Sequence, residues 1–140
     1  MKKLIYFVAL CLFGMTAAVA QEATAQIQFE EKSHDFGDIK QGEVVTYTFN
    51  FENVGKAPLV LSNVQTTCGC TATDWPRDPI MPGAKSSITA RFNSTGKMGR
   101  QNKVITVISN AGNSPERVSI VTNVLKPAPA EESESAKKTN

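Results

Sequence analysis

The sequence predicts an all-β chain, a two-sheet antiparallel sandwich of about seven strands. Three observations predict it. Apolar side chains recur at every second position in several runs, turn-forming clusters separate those runs, and no window carries a helical stripe between capping signals.

Before the first strand, Met1-Lys2-Lys3 leads into an apolar run over residues 4–19, and Ala18-Val19-Ala20 precedes Gln21. This order of basic, apolar and small residues is that of a secretory signal peptide, assigned to residues 1–20. The competing reading is a retained anchor, since the run nearly reaches spanning length. Small residues at its end and the lack of a charged stop favour cleavage. Cys11 sits too early for an acylation site, with bulky Leu10 before it, and leaves with the leader.

Short strands are expected at 27–30 and 38–40, with His34 as a hydrogen-bonded residue opening an Asp35-Phe36-Gly37 turn. Residues 43–52 alternate strictly: Val45, Tyr47, Phe49 and Phe51 point inward, and Val44, Thr46, Thr48 and Asn50 point outward. A shorter candidate covers 59–64. Residues 87–92 turn Ile88, Ala90 and Phe92 inward, and 118–125 turn Val118, Ile120, Thr122 and Val124 inward. The stretch 103–109 is apolar on both sides through Val104, Ile105, Val107 and Ile108, as a central strand requires. Turns at Lys40-Gln41-Gly42, Asn53-Val54-Gly55-Lys56, Met81-Pro82-Gly83, Ser94-Thr95-Gly96 and Asn110-Ala111-Gly112-Asn113 separate these runs. The body is thus 21–125, and 126–140 is a polar tail too poor in apolar residues to order itself.

Charge excludes several function classes. The chain has 15 basic and 13 acidic residues, but Lys2 and Lys3 belong to the leader, so the remainder balances at 13 each. A neutral body without a basic stripe does not suit nucleic acid or an anionic membrane. A single histidine builds no Ser/His/Asp constellation, and no phosphate-cradling glycine loop opens a helix. No enzyme activity, resident cofactor or metal is therefore expected. Asp74 and Asp78 read as turn residues beside Trp75-Pro76 and Pro79.

Thr66-Thr67-Cys68-Gly69-Cys70-Thr71 is the unusual feature. After leader removal Cys68 and Cys70 are the remaining cysteines, in a compartment that permits disulfides. Three readings stand open. A Cys68–Cys70 disulfide needs a bend that Gly69 can supply, and closing about three residues contributes only about 1.6 kcal/mol, too little for a structural staple. Such a bond is easily reduced, which suits thiol exchange, although the C-x-C spacing is not that of thioredoxin-type sites. Soft-metal binding, copper above all, is the third. His34, Met81 and Met98 are the further ligands on offer; the methionines read equally as turn-adjacent packing residues, and His34 reads better as the hydrogen-bonded polar residue that opens its turn. Trp75 is a candidate partner-binding loop residue, with a hydrophobic plug at the sandwich end as the plainer reading and carbohydrate recognition as a remote one. The antibody pattern is absent: neither long alternating strand holds a cysteine, and Trp75 follows the cysteine pair.

Taken in order, His34-Asp35-Phe36-Gly37, Val45 to Phe51 with Asn53-Val54-Gly55, Pro58-Leu59, Cys68-Gly69-Cys70-Thr71, Trp75, Pro82-Gly83, Gly99 and Lys103 to Asn110 resemble the bacterial domain-of-unknown-function family numbered 1573. The resemblance spans Ile27 to Leu125. It implies an exported protein of the immunoglobulin-like group that includes the major sperm protein and Hydin-type modules. Gln101 departs from the pattern, where an aromatic residue is expected. The family brings no established activity.

The function expected from these readings is an exported, noncatalytic immunoglobulin-like module, periplasmic or extracellular. It binds a protein partner or assembles at the envelope, without nucleic acid and without stable membrane insertion after cleavage. The alternative is thiol-redox or copper handling through Cys68 and Cys70.

Overall fold

A computed structural model describes residues 23–69 and 71–127. The leader, Cys70 and nearly all of the expected tail lie outside them. The described residues form eight strands and no helix: β1 (Ile27–Phe29), β2 (Ser33–Lys40), β3 (Val44–Asn53), β4 (Leu61–Thr66), β5 (Thr71–Asp74), β6 (Lys85–Asn93), β7 (Gly99–Ser109) and β8 (Glu116–Leu125). They make two four-stranded sheets, ordered β1-β3-β6-β5 and β2-β8-β7-β4. This is the all-β sandwich that the alternation predicts, and the immunoglobulin-like fold that the family resemblance implies.

Two details correct the expectation. The sandwich is not wholly antiparallel, because β2 runs parallel to β8. Period-two alternation reports which face a strand buries and is silent on its neighbour. There is also an eighth strand, β5, whose Thr71 to Asp74 are too few to show a pattern before Trp75-Pro76. The expected Asp35-Phe36-Gly37 turn lies inside β2 as a bulge: pairing shifts between Asp35 and Asp38, Gly37 adopts φ +68°, and the Gly37 N–H donates to the Asp35 carboxylate at 2.8 Å. Thr122 secures the bulge by donating to the Gly37 carbonyl at 2.8 Å.

Packing follows the inward faces. Phe49 and Phe51 of β3, Ile88, Ala90 and Phe92 of β6, Ile105 and Val107 of β7, and Val118, Ile120 and Val124 of β8 are buried. Val44, Thr46, Thr48 and Asn50 on the other face of β3 are exposed. β7 sits between β8 and β4, as its two-sided apolar pattern requires. Leu59 falls before β4 and forms an isolated bridge with Ile80.

Side-chain clamps close the two ends. Asn53 is fully buried; its carbonyl accepts from Gln26 N at 3.3 Å and Gly55 N at 3.0 Å, and its amide donates to the carbonyls of Ala57 at 2.8 Å and Ile80 at 2.9 Å. The chain before β1 runs so close over Gly55 that a Cβ there would stand 2.4 Å from Gln26 N and Thr24 O. Asn113, in the turn between β7 and β8, holds the start of β1, accepting from Ile27 N at 3.2 Å and donating to the Ile27 carbonyl at 2.8 Å. At the opposite end the hydroxyl of buried Ser94 stands within hydrogen-bond reach of the carbonyls of Lys40 and Glu43, at 3.0 and 2.8 Å.

Candidate functional site

The segment after β4 crosses from one sheet to the other, and Cys68 lies in that crossing. Thr67 N still donates to Val104 O of β7 at 3.2 Å, whereas Thr71 opens β5 opposite Phe92. Thr66 ties the corner, its hydroxyl within reach of the carbonyls of Cys68 at 3.0 Å and Thr71 at 3.3 Å, and Thr71 N donates to the Cys68 carbonyl at 3.3 Å. Cys68 is half-buried and disulfide-bonded, its partner falling outside the described residues. Its sulfur also stands 3.8 Å from the Thr71 hydroxyl. Whether Cys70 projects beside it lies outside the described residues.

β5 carries the chain directly to Trp75. The indole is half-buried and packs against the core. The Arg77 guanidinium lies over its ring, 3.6 Å from the centroid, a cation–π contact. Beside them Asp74, Trp75, Pro76, Ser86, Ser87 and Thr89 line a shallow depression of about 280 Å³ on the outer side of β5 and β6. Asp74 closes β5 opposite Thr89, and Asp78 is exposed. A carboxylate, serine and threonine residues and an indole covered by a guanidinium thus stand together at a place that the sequence marked only through Trp75.

A third cluster was not anticipated. The ring of His34 stacks on Tyr47 at 3.6 Å with an interplanar angle of 9°, and Phe36 meets His34 edge-on at 4.7 Å. Tyr47 in turn meets Phe49 edge-on at 4.8 Å. The Tyr47 hydroxyl donates to Glu31, and His34 Nδ1 lies 4.0 Å from the same carboxylate oxygen. That hydrogen bond, followed by burial and the Glu31 charge, raises the Tyr47 pKa above the ordinary tyrosine value. His34 is thus engaged with aromatic rings in β2 rather than opening a turn. No sequence signal could join it to Tyr47, because the two stand on different sheets.

Among the described residues no group of three or more His, Cys, Asp or Glu is placed to hold a metal ion. Met81 and Met98 are 58% and 52% exposed, so neither is the packing residue that its turn position suggested.

A family model described as protein of unknown function (DUF1573) matches residues 27–124. No curated protein matches the sequence. Among solved structures, a protein of unknown function from Porphyromonas gingivalis is similar with a TM-score of 0.64 at 21% identity, over 78% of this chain and 51% of that one. PapD-like domain 7 of human CEP192 is similar with a TM-score of 0.61 at 10% identity, over 75% of this chain and 89% of the domain. The secreted serine protease VesC from Vibrio cholerae is similar with a TM-score of 0.56 at 18% identity, over 76% of this chain. The match spans 51% of the first of these chains and 24% of the protease. At such identities the likeness is one of fold.

Proposed function

This chain belongs to the DUF1573 family, and from that premise we propose that it is an exported, noncatalytic module that binds a protein partner at the cell envelope. The observation that carries the reading is the Trp75 surface. Tryptophan and arginine are the residue types that dominate binding energy at protein interfaces, and here they stand stacked, with Asp74 and a row of hydroxyls beside them. The β-sandwich underneath is rigid, which suits a surface that must present fixed groups. Export rests on the expected leader at residues 1–20 and places the module in the periplasm or outside the cell. The test is capture from an envelope fraction by the immobilised chain, with Trp75→Ala and Arg77→Ala as the informative variants. A partner held by the parent chain and released by both variants supports the proposal. A partner held equally by all three moves binding elsewhere on the module.

A second reading is favoured by the disulfide at Cys68, which is half-buried and sits in a sheet-to-sheet corner. A Cys68–Cys70 bond reduced by an external dithiol would take up two electrons and two protons to give two thiols while the donor closes its own disulfide. The same reduced pair would suit Cu(I). Thiol titration of the exported chain, together with metal analysis of the reduced form, tests it. Fully oxidised cysteines that resist dithiol donors, with no copper retained after reduction, rule this reading out.

A further inference from the structure

Among the described residues the two sheets end in four edge strands, and three of them are guarded. β1 has three residues and β5 has four, the latter running directly into Trp75-Pro76. β2 is bulged at Gly37 and carries Asp35, Asp38 and Lys40. Short length, proline, bulges and charge are the ways in which proteins keep an edge from pairing with another chain.

β4 has a bulge only at its start, between Leu61 and Asn63, and bears no charge; the whole stretch 57–73 around it is uncharged. Its main-chain direction follows from the ladder. Thr67 N donates to Val104 O, so Thr67 and Gln65 turn their backbone groups toward β7. By alternation, the N–H and C=O of Val64 and Thr66 point away from the sheet. The side chains of Ser62, Asn63 and Gln65 are exposed.

We infer that β4 pairs with β4 of a second copy, antiparallel about a two-fold axis at Gln65. In that register Val64 of each copy exchanges both backbone hydrogen bonds with Thr66 of the other, and the two Gln65 side chains face one another as a close pair. No like charges meet. The arrangement is isologous and closed. It joins two four-stranded sheets into one of eight whose outer edges are both the guarded β2, whereas a lone strand from another protein would leave a new edge open. This inference is independent of the Trp75 reading, because Trp75 follows β5 on the other sheet.

Sedimentation of the purified exported chain over a range of concentrations tests it, with Gln65→Lys, Gln65→Glu and their equimolar mixture. Gln65 is exposed, so both variants should fold, as a thermal melt will verify. The parent should be dimeric. Each single variant should raise the dissociation constant by up to about fivefold by facing like charges, and the mixture should restore the dimer. Asp38→Lys on the guarded edge should change nothing. Should a variant misfold, amide exchange of the parent gives the same answer: Val64 and Thr66 should exchange more slowly as concentration rises. A parent monomeric throughout, variants that dimerise as the parent does, a mixture no tighter than its components, or concentration-independent exchange at Val64 and Thr66 would each overturn the inference.

Discussion

Replacing Asn53 by alanine tests how the sandwich is closed. The side chain is 0% exposed and makes four hydrogen bonds, accepting from Gln26 N and Gly55 N and donating to the carbonyls of Ala57 and Ile80. At roughly 1 kcal/mol net for each bond, the loss is about 4 kcal/mol. The Ile80 carbonyl keeps its bond from Leu59 N at 2.8 Å, which brings the expectation down to about 3 kcal/mol. Against a total stability of about 5–15 kcal/mol, that is a large fraction, and it should lower Tm by roughly 12–24 °C. Urea unfolding of parent and Asn53→Ala measures it. Asn53→Asp sharpens the test, since it keeps both acceptor bonds but sets a carboxylate against two carbonyls. Losing the two donor bonds alone, it should also destabilise the fold, and comparison with Asn53→Ala separates the donor bonds from the acceptor bonds. A loss below about 1 kcal/mol for Asn53→Ala would refute the reasoning.

Gly55→Ala should destabilise by several kcal/mol, on the order of 3, because the new methyl meets backbone rather than a movable side chain; faster amide exchange at Ile27 would locate the damage. Phe51→Ala removes a fully buried ring that lies 5.4 Å from Phe29 and should cost about 3–5 kcal/mol in urea unfolding. Tyr47 should ionise above the ordinary tyrosine value in an absorbance titration, and Glu31→Gln should lower its midpoint. The stability linked to this proton is complete below the unfolded tyrosine pKa and is lost as pH rises through the folded one.

Alternation made β3, β6 and β8 legible, along with the core residues they carry, because each buries one face over many residues, and β7 was legible from its two-sided apolar run. β2 was half hidden, since Asp35-Phe36-Gly37-Asp38 has the chemistry of a turn and the fold uses that chemistry as a bulge within a strand. β5 has no period to read. The partnership of β2 with β8 could not be seen at all, because it joins residues that are more than eighty positions apart. Asn53-Val54-Gly55 was visible as turn chemistry; its burial was not, because the segment it grips arrives from the other end of β1. At the candidate site Trp75 was legible by type. Arg77 stands two positions on, the spacing that puts two side chains on one side of an extended chain, and was the signal left unused.

The account rests on burial between two sheets as the force that holds the module, with the cysteine pair and the Trp75 surface available for function. Urea unfolding of the oxidised chain with and without reductant addresses this directly. The prediction is a single cooperative transition in both, with reduction lowering stability by about 1.6 kcal/mol or less, the entropic limit for a loop of about three residues. Loss of the cooperative transition on reduction would show that the sandwich depends on its disulfide, and would contradict the account.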